Sequence, residues 1–91
     1  MMIDRKTRWK IKRRLELERP TVWIGKSGVS AEITAEVDRQ LKEKEVLKLK
    51  IQKAALKVSD AEAIAMDLAS RTQSTLIEVR GHTFILYRSK E

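Results

Sequence analysis

Segments with a two-residue apolar period alternate along this chain with segments of helical period, and that alternation limits the folds open to it. Val46–Gln52 is the clearest case. Leu47, Leu49 and Ile51 share one face while Lys48, Lys50 and Gln52 share the other, as in a strand with one face in a core and one carrying positive charge. Thr21–Ile24 is short, β-branched and aromatic and reads as a strand. Thr75–Arg80 and Thr83–Arg88 read as two more, joined by Gly81-His82. A glycine at the first loop position suits a type II′ hairpin turn.

Between these strands lie helices. Asp4 is a candidate N-cap for a helix running to about Glu18, with Ile11 and Leu15 as an i,i+4 apolar pair and Pro20 as its stop. Ser30 caps a second helix carrying Ile33, Val37 and Leu41, expected to fray over Lys42-Glu43-Lys44-Glu45. Ser59-Asp60-Ala61-Glu62 matches a capping box. It opens a third helix whose stripe of Ala61, Ile64, Ala65, Leu68 and Ala69 allows close approach to a sheet. The order is α-β-α-β-α-β-β. Two helical crossovers predict parallel strand pairs and the hairpin an antiparallel one, giving an α/β fold: a four-stranded mixed sheet with packed helices.

At 91 residues the chain is expected to form one domain, 1–91. No cysteine and a single histidine exclude disulfides, thiolate and multi-histidine metal sites, and cysteine nucleophiles. No apolar run is long enough to span a bilayer, and no apolar segment follows the basic N-terminus as in a secretory signal. The expectation is a small soluble cytoplasmic protein without membrane association, cofactor or metal. Its oligomeric state is left open.

The formal net charge is +7. Residues 1–28 hold nine bases and three acids, a net +6, and residues 29–91 hold eleven bases and ten acids, a net +1. Arg5, Lys6, Arg8, Lys10, Lys12, Arg13 and Arg14 follow one another with no acid among them. A charge run is commonly no more than a solvated helix face, but self-repulsion of this density points to a polyanionic partner.

Gly25-Lys26-Ser27-Gly28 joins a strand to a helix N-terminus. Two glycines allow a sharp turn and close backbone approach, the helix end offers free N–H groups, and Lys26 adds a full charge. The same parts make the G-x-x-G loop that clamps a nucleic-acid backbone in KH domains, although many strand–helix turns carry two glycines for geometry alone. A nucleoside-triphosphate P-loop is excluded, because Pro20 stands where its first glycine belongs.

Other residues weigh less. His82 reads as turn filler. Trp9 is open between base stacking and packing, Trp23 is expected to pack, and Phe84 and Tyr87 alternate as core and rim. So few aromatics do not support an RRM-like stacking platform. The carboxylates are interleaved with bases, so no catalytic pair stands out and no enzyme activity is expected.

Three blocks together resemble the CRM domain (chloroplast RNA splicing and ribosome maturation) and its stand-alone YhbY-like prokaryotic members. They are Pro20-Thr21-Val22-Trp23-Ile24-Gly25-Lys26-Ser27-Gly28-Val29-Ser30, Glu45-Val46-Leu47-Lys48-Leu49-Lys50, and Gly81-His82-Thr83-Phe84-Ile85-Leu86-Tyr87-Arg88. The resemblance implies a fold like the C-terminal domain of translation initiation factor three with a KH-like G-x-x-G loop. It also implies binding to RNA, with ribosomal RNA during large-subunit assembly as the expected target. Gly25, Lys26, Ser27 and Gly28 would form the loop and the basic helix would supply phosphate contacts, joined by the strand bases Lys48 and Lys50. The sequence departs from the family at Leu15–Arg19, where an Ala-His-type segment is common, and at Val29-Ser30, where Leu-Thr is common. Two alternatives stand beside this reading: an architectural DNA binder of the small archaeal chromatin type, and a basic adaptor that docks an acidic protein.

Overall fold

A computed structural model describes residues 3–89, so the two residues at each end of the expected domain lie outside the description. The elements are α1 (Arg5–Leu15), β1 (Val22–Ile24), α2 (Ala31–Lys44), β2 (Val46–Ile51), α3 (Lys53–Leu56), α4 (Ala61–Arg71), β3 (Thr75–Arg80) and β4 (Thr83–Tyr87). The single-turn α3 was not expected; it buries Ala55 between β2 and α4.

The caps follow from local chemistry. The Asp4 carboxylate accepts the Thr7 N–H at 2.7 Å, and the Ser30 hydroxyl accepts that of Ile33 at 3.2 Å. At α4 the cap is Asp60, whose carboxylate accepts from Ala63 N–H at 2.7 Å, rather than Ser59. The expected fraying of α2 is also absent. It stays helical through Lys44 and ends at Glu45 with φ 67°. Arg88 anchors this corner: its guanidinium donates to the Asp38 carboxylate and the Thr72 carbonyl, both at 2.7 Å, and its N–H to the Glu45 carbonyl at 2.8 Å.

The four strands form one mixed sheet in the order β1-β2-β4-β3. β1 pairs parallel to β2, and β4 pairs antiparallel to both β2 and β3. The second crossover therefore does not produce an adjacent parallel pair, because β4 lies between β2 and β3. The more apolar hairpin strand, with buried Phe84, Ile85 and Leu86, takes the central place, and β3, with Glu78 and Arg80, takes the edge. Gly81 has φ 60° and no other residue of the turn has positive φ, as the type II′ hairpin requires.

The two sheet faces are covered unequally. On one, α2 and α4 bury Val37, Leu41, Ile64, Ala65 and Leu68 against Val22, Ile24, Leu47, Leu49, Ile51, Phe84 and Leu86. On the other, α1 covers a smaller cluster of Ile11, Leu15, Val46, Ile77 and Ile85. A β-bulge makes this second contact. Leu76 pairs with Leu86 and Glu78 with Ile85, leaving Ile77 as the extra residue. Ile77 packs under α1, Glu78 meets the Lys12 ammonium at 3.6 Å, and Arg8 donates to the carbonyls of Ile77 (2.8 Å) and Leu76 (3.3 Å).

The first helix is shorter than the expected run to Glu18. It closes at Leu15, where the Lys48 ammonium donates to the carbonyls of Leu15 (3.0 Å), Glu16 (3.4 Å) and Glu18 (3.1 Å). The Leu15 carbonyl also accepts from Glu18 N–H at 3.2 Å, and the cation adds to this while answering the negative end of the helix dipole.

Candidate nucleic-acid interface

Alternation along the strands decides what α1 leaves uncovered. Val46, Lys48 and Lys50 point to the α1 side of β2, but α1 covers only the first, and its C-terminal end rests on the second. Lys50 is exposed. It pairs across the sheet with Trp23 on β1 and Thr83 on β4, and Thr83 pairs with Arg80 on β3. Trp23, Lys50, Thr83 and Arg80 thus form one row on the uncovered part of this face. With strands about 4.8 Å apart the row is about 14 Å wide. Trp23 is 51% exposed, since Val22 and Ile24 take the core-facing positions on either side of it. The expectation that Trp23 packs inside is therefore corrected.

The helix adds a wall to this strip. Trp9, Lys12, Arg13 and Glu16 line a groove of about 200 Å³ whose sheet side is Lys48, Glu78, Arg80, Thr83 and Ile85. Trp9 is 59% exposed, and the Arg13 guanidinium lies 5.5 Å from its ring centroid, within cation–π range.

The Gly25–Gly28 loop stands at the same end of the sheet. It leaves β1 two residues after Trp23, and the hairpin tip lies alongside, with Ile51 N–H donating to the His82 carbonyl at 2.7 Å. Gly28 N–H donates to the Gly25 carbonyl at 2.8 Å, and Gly28 has φ 67°, a conformation that disfavours any residue with a Cβ. A Cβ on Gly25 would come within 2.9 Å of the Gln52 Oε1 atom. Lys26 and Ser27 are exposed at the tip. Ser30 starts α2 directly behind them, so the positive end of its dipole backs the loop.

The basic residues expected to act together divide into groups. Arg8 and Lys12 are held against β3, and Lys48 is held at the end of α1. These three build the scaffold. Lys6, Lys10 and Arg13 lie with Trp9 at i, i+3, i+4 and i+7, opposite buried Ile11 and Leu15, and all are exposed. Arg5 is exposed in the first turn. Arg14 points away from the strip, into a separate groove with Arg19, Lys44, Glu18 and Glu43. Arg80 was not singled out from sequence. Its signal was the alternation with Glu78, which places it beside Thr83 and Lys50. Phe84 is core and Tyr87 half-buried, as expected.

Perturbed acids lie elsewhere. The Arg39 and Gln40 side chains hold Glu36 at about 2, the Arg88 hydrogen bond lowers Asp38, and the Thr7 N–H lowers Asp4. These are helix-surface pairs and a cap. Among the described residues, no group of three or more His, Cys, Asp or Glu side chains is placed to hold a metal.

Comparison with known proteins identifies the architecture. The family profile of the CRS1/YhbY (CRM) domain matches residues 3–88. The chain belongs to the CRM family. A Methanocaldococcus jannaschii relative named "Probable RNA-binding protein" is 42% identical to this CRM domain over 91 residues, covering 96% of the chain and 67% of the relative. The solution structure of the hypothetical protein SAV1595 from Staphylococcus aureus superposes with a TM-score of 0.81 at 23% identity. The match covers 99% of this CRM domain and 92% of that chain, and it establishes the shared fold.

Proposed function

We propose that this CRM domain binds structured RNA, and that its target is ribosomal RNA during assembly of the large subunit. One observation carries the RNA reading: an exposed glycine loop with a lysine at its tip shares one end of the sheet with Lys50 and Arg80, whose side chains make no hydrogen bond or ion pair among the described residues. The Methanocaldococcus relative's name supports RNA as the polyanion, and the family resemblance supports the ribosomal assignment.

In this reading the backbone of the Gly25–Gly28 loop approaches one phosphate and Lys26 neutralises it. Lys50, Arg80 and Arg13 follow the adjoining backbone, and Lys6 and Lys10 widen the field from the outer face of α1. Affinity is then largely electrostatic, and selectivity comes from RNA shape. The protein acts by binding, with no chemical step.

The test is fluorescence anisotropy with a structured ribosomal RNA fragment and a length-matched DNA duplex, titrated in salt. A preference for RNA of about tenfold, about 1.4 kcal/mol, that persists at about 200 mM salt is the expected result. Equal binding that collapses with salt would favour an architectural DNA binder. Absence of nucleic-acid binding would favour an acidic protein partner.

A further inference from the structure

Both tryptophans of this chain are at least half exposed, and both border the same uncovered part of the sheet. Large aromatic rings dominate core packing elsewhere in proteins, and a small domain has few to spare. Here the core is built from aliphatic residues and Phe84, while the two largest side chains face solvent. Trp23 stands at one end of the cross-sheet row that continues through Lys50 and Thr83 to Arg80. Trp9 stands on α1 above the other end, lining the groove with Arg80 and Thr83. The exposed cations between the rings are Lys50, Arg80 and Arg13; of the two acids that line the groove, Glu78 is engaged by Lys12 and Glu16 lies exposed on the α1 wall.

A phosphate grip accounts for the loop and the cations, but not for exposed indoles. Paired bases keep their faces inside the duplex, where no side chain reaches them. Unpaired bases present a π-face that an aromatic ring covers whatever the sequence. We infer that the strip between Trp9 and Trp23 is a binding site for unpaired nucleotides, with bases stacked on the two rings and the intervening phosphates met by Lys50 and Arg80. The inference rests on the RNA reading above and adds to it: the target is structured RNA with a single-stranded segment next to the part that the glycine loop holds. Arg13, stacked on Trp9, keeps that ring oriented and positively biased.

The experiment compares a blunt RNA duplex with the same duplex bearing a ten-nucleotide single-stranded overhang of mixed sequence, using anisotropy at fixed salt. The expected result is tighter binding of the overhang RNA by the unaltered protein. A Trp9→Ala, Trp23→Ala double variant should lose that advantage by at least tenfold while keeping its affinity for the blunt duplex. Trp9→Phe with Trp23→Phe should retain most of the advantage, and Trp9→Leu with Trp23→Leu should not, which separates stacking from simple apolar contact. The leucine pair also serves if the alanine pair folds poorly by circular dichroism. In the single-tryptophan variants W9F and W23F, the remaining indole should be quenched by the ten-nucleotide strand alone. Equal affinity of the unaltered protein for the two RNAs, or an advantage that survives the alanine pair, overturns the inference and leaves the RNA reading standing. If neither RNA binds, both readings fall.

Discussion

The Lys48 ammonium donates to the Leu15 carbonyl at 3.0 Å, so that a residue from the middle of the sheet closes the N-terminal helix. With Arg8 on the bulge at Ile77, it fixes both ends of a helix whose apolar contact is only a five-residue cluster. Lys48→Met keeps the aliphatic stem and removes the charge. We expect it to lower unfolding free energy by about 1–2 kcal/mol, the worth of one charge-assisted hydrogen bond at the partly buried Leu15 carbonyl, those to Glu16 and Glu18 being exposed. Urea denaturation measures this, and an unchanged midpoint would show that α1 stays in place without the clasp.

Acid should weaken the corner held by Arg88. The Arg88 hydrogen bond lowers the Asp38 pKa in the folded chain, with smaller contributions from the charges of Arg88 and Lys42. A folded value below the unfolded one, about 3.9, means that protons bind preferentially to the unfolded chain. The contribution is therefore full above that value and is lost as pH falls through the lower, folded value. As pH falls below about 4 the unaltered protein should lose more stability than Asp38→Asn, which lacks this contribution at every pH. Parallel pH profiles for the two proteins would contradict the assignment.

The two loop glycines should respond differently to alanine. Gly28→Ala meets no atom within 4 Å, yet φ 67° strains it, and a loss of about 1–2 kcal/mol is expected. Gly25→Ala would crowd only the far end of the exposed Gln52 side chain, which can swing aside. Its cost should stay below about 0.5 kcal/mol. Thermal unfolding of the two variants distinguishes strain from crowding. A larger loss at Gly25 would mean that Gln52 is held in place.

Replacing Lys26 and Arg13 together by glutamine should weaken RNA binding without shifting the unfolding midpoint, because both side chains are exposed. If each meets a phosphate, the magnitude of the slope of log affinity against log salt should fall by about 1.4–1.8, two contacts at about 0.7–0.9 each. An unchanged slope would remove both from the interface.

The elements were legible because their periods track burial. Leu47, Leu49 and Ile51 alternate into the core, and Ile33, Val37 and Leu41 recur along one helix face. What escaped was set at long range. The partners of Lys48, Arg8 and Lys12 lie some 30 to 70 residues away along the chain, at positions that no local pattern specifies. The bulge at Ile77 shifts the register of β3 without any glycine to mark it. Trp23 was legible but read by size; parity with Val22 and Ile24 already placed it on the opposite face. The loop, by contrast, was readable as glycines and a cap, and its position beside Lys50 and the hairpin tip came only with the sheet order.

That order carries a consequence for how the molecule is made. β4 follows every other strand in sequence and yet lies between β2 and β3. A ribosome that has released the chain only as far as Gly81 has produced a parallel pair and a lone strand with no edge in common. The wide core waits for Phe84 and Leu86, and the corner that joins Asp38, Glu45 and Thr72 waits for Arg88. The four-stranded sheet therefore cannot close until β4 has emerged, like an arch that waits for its keystone.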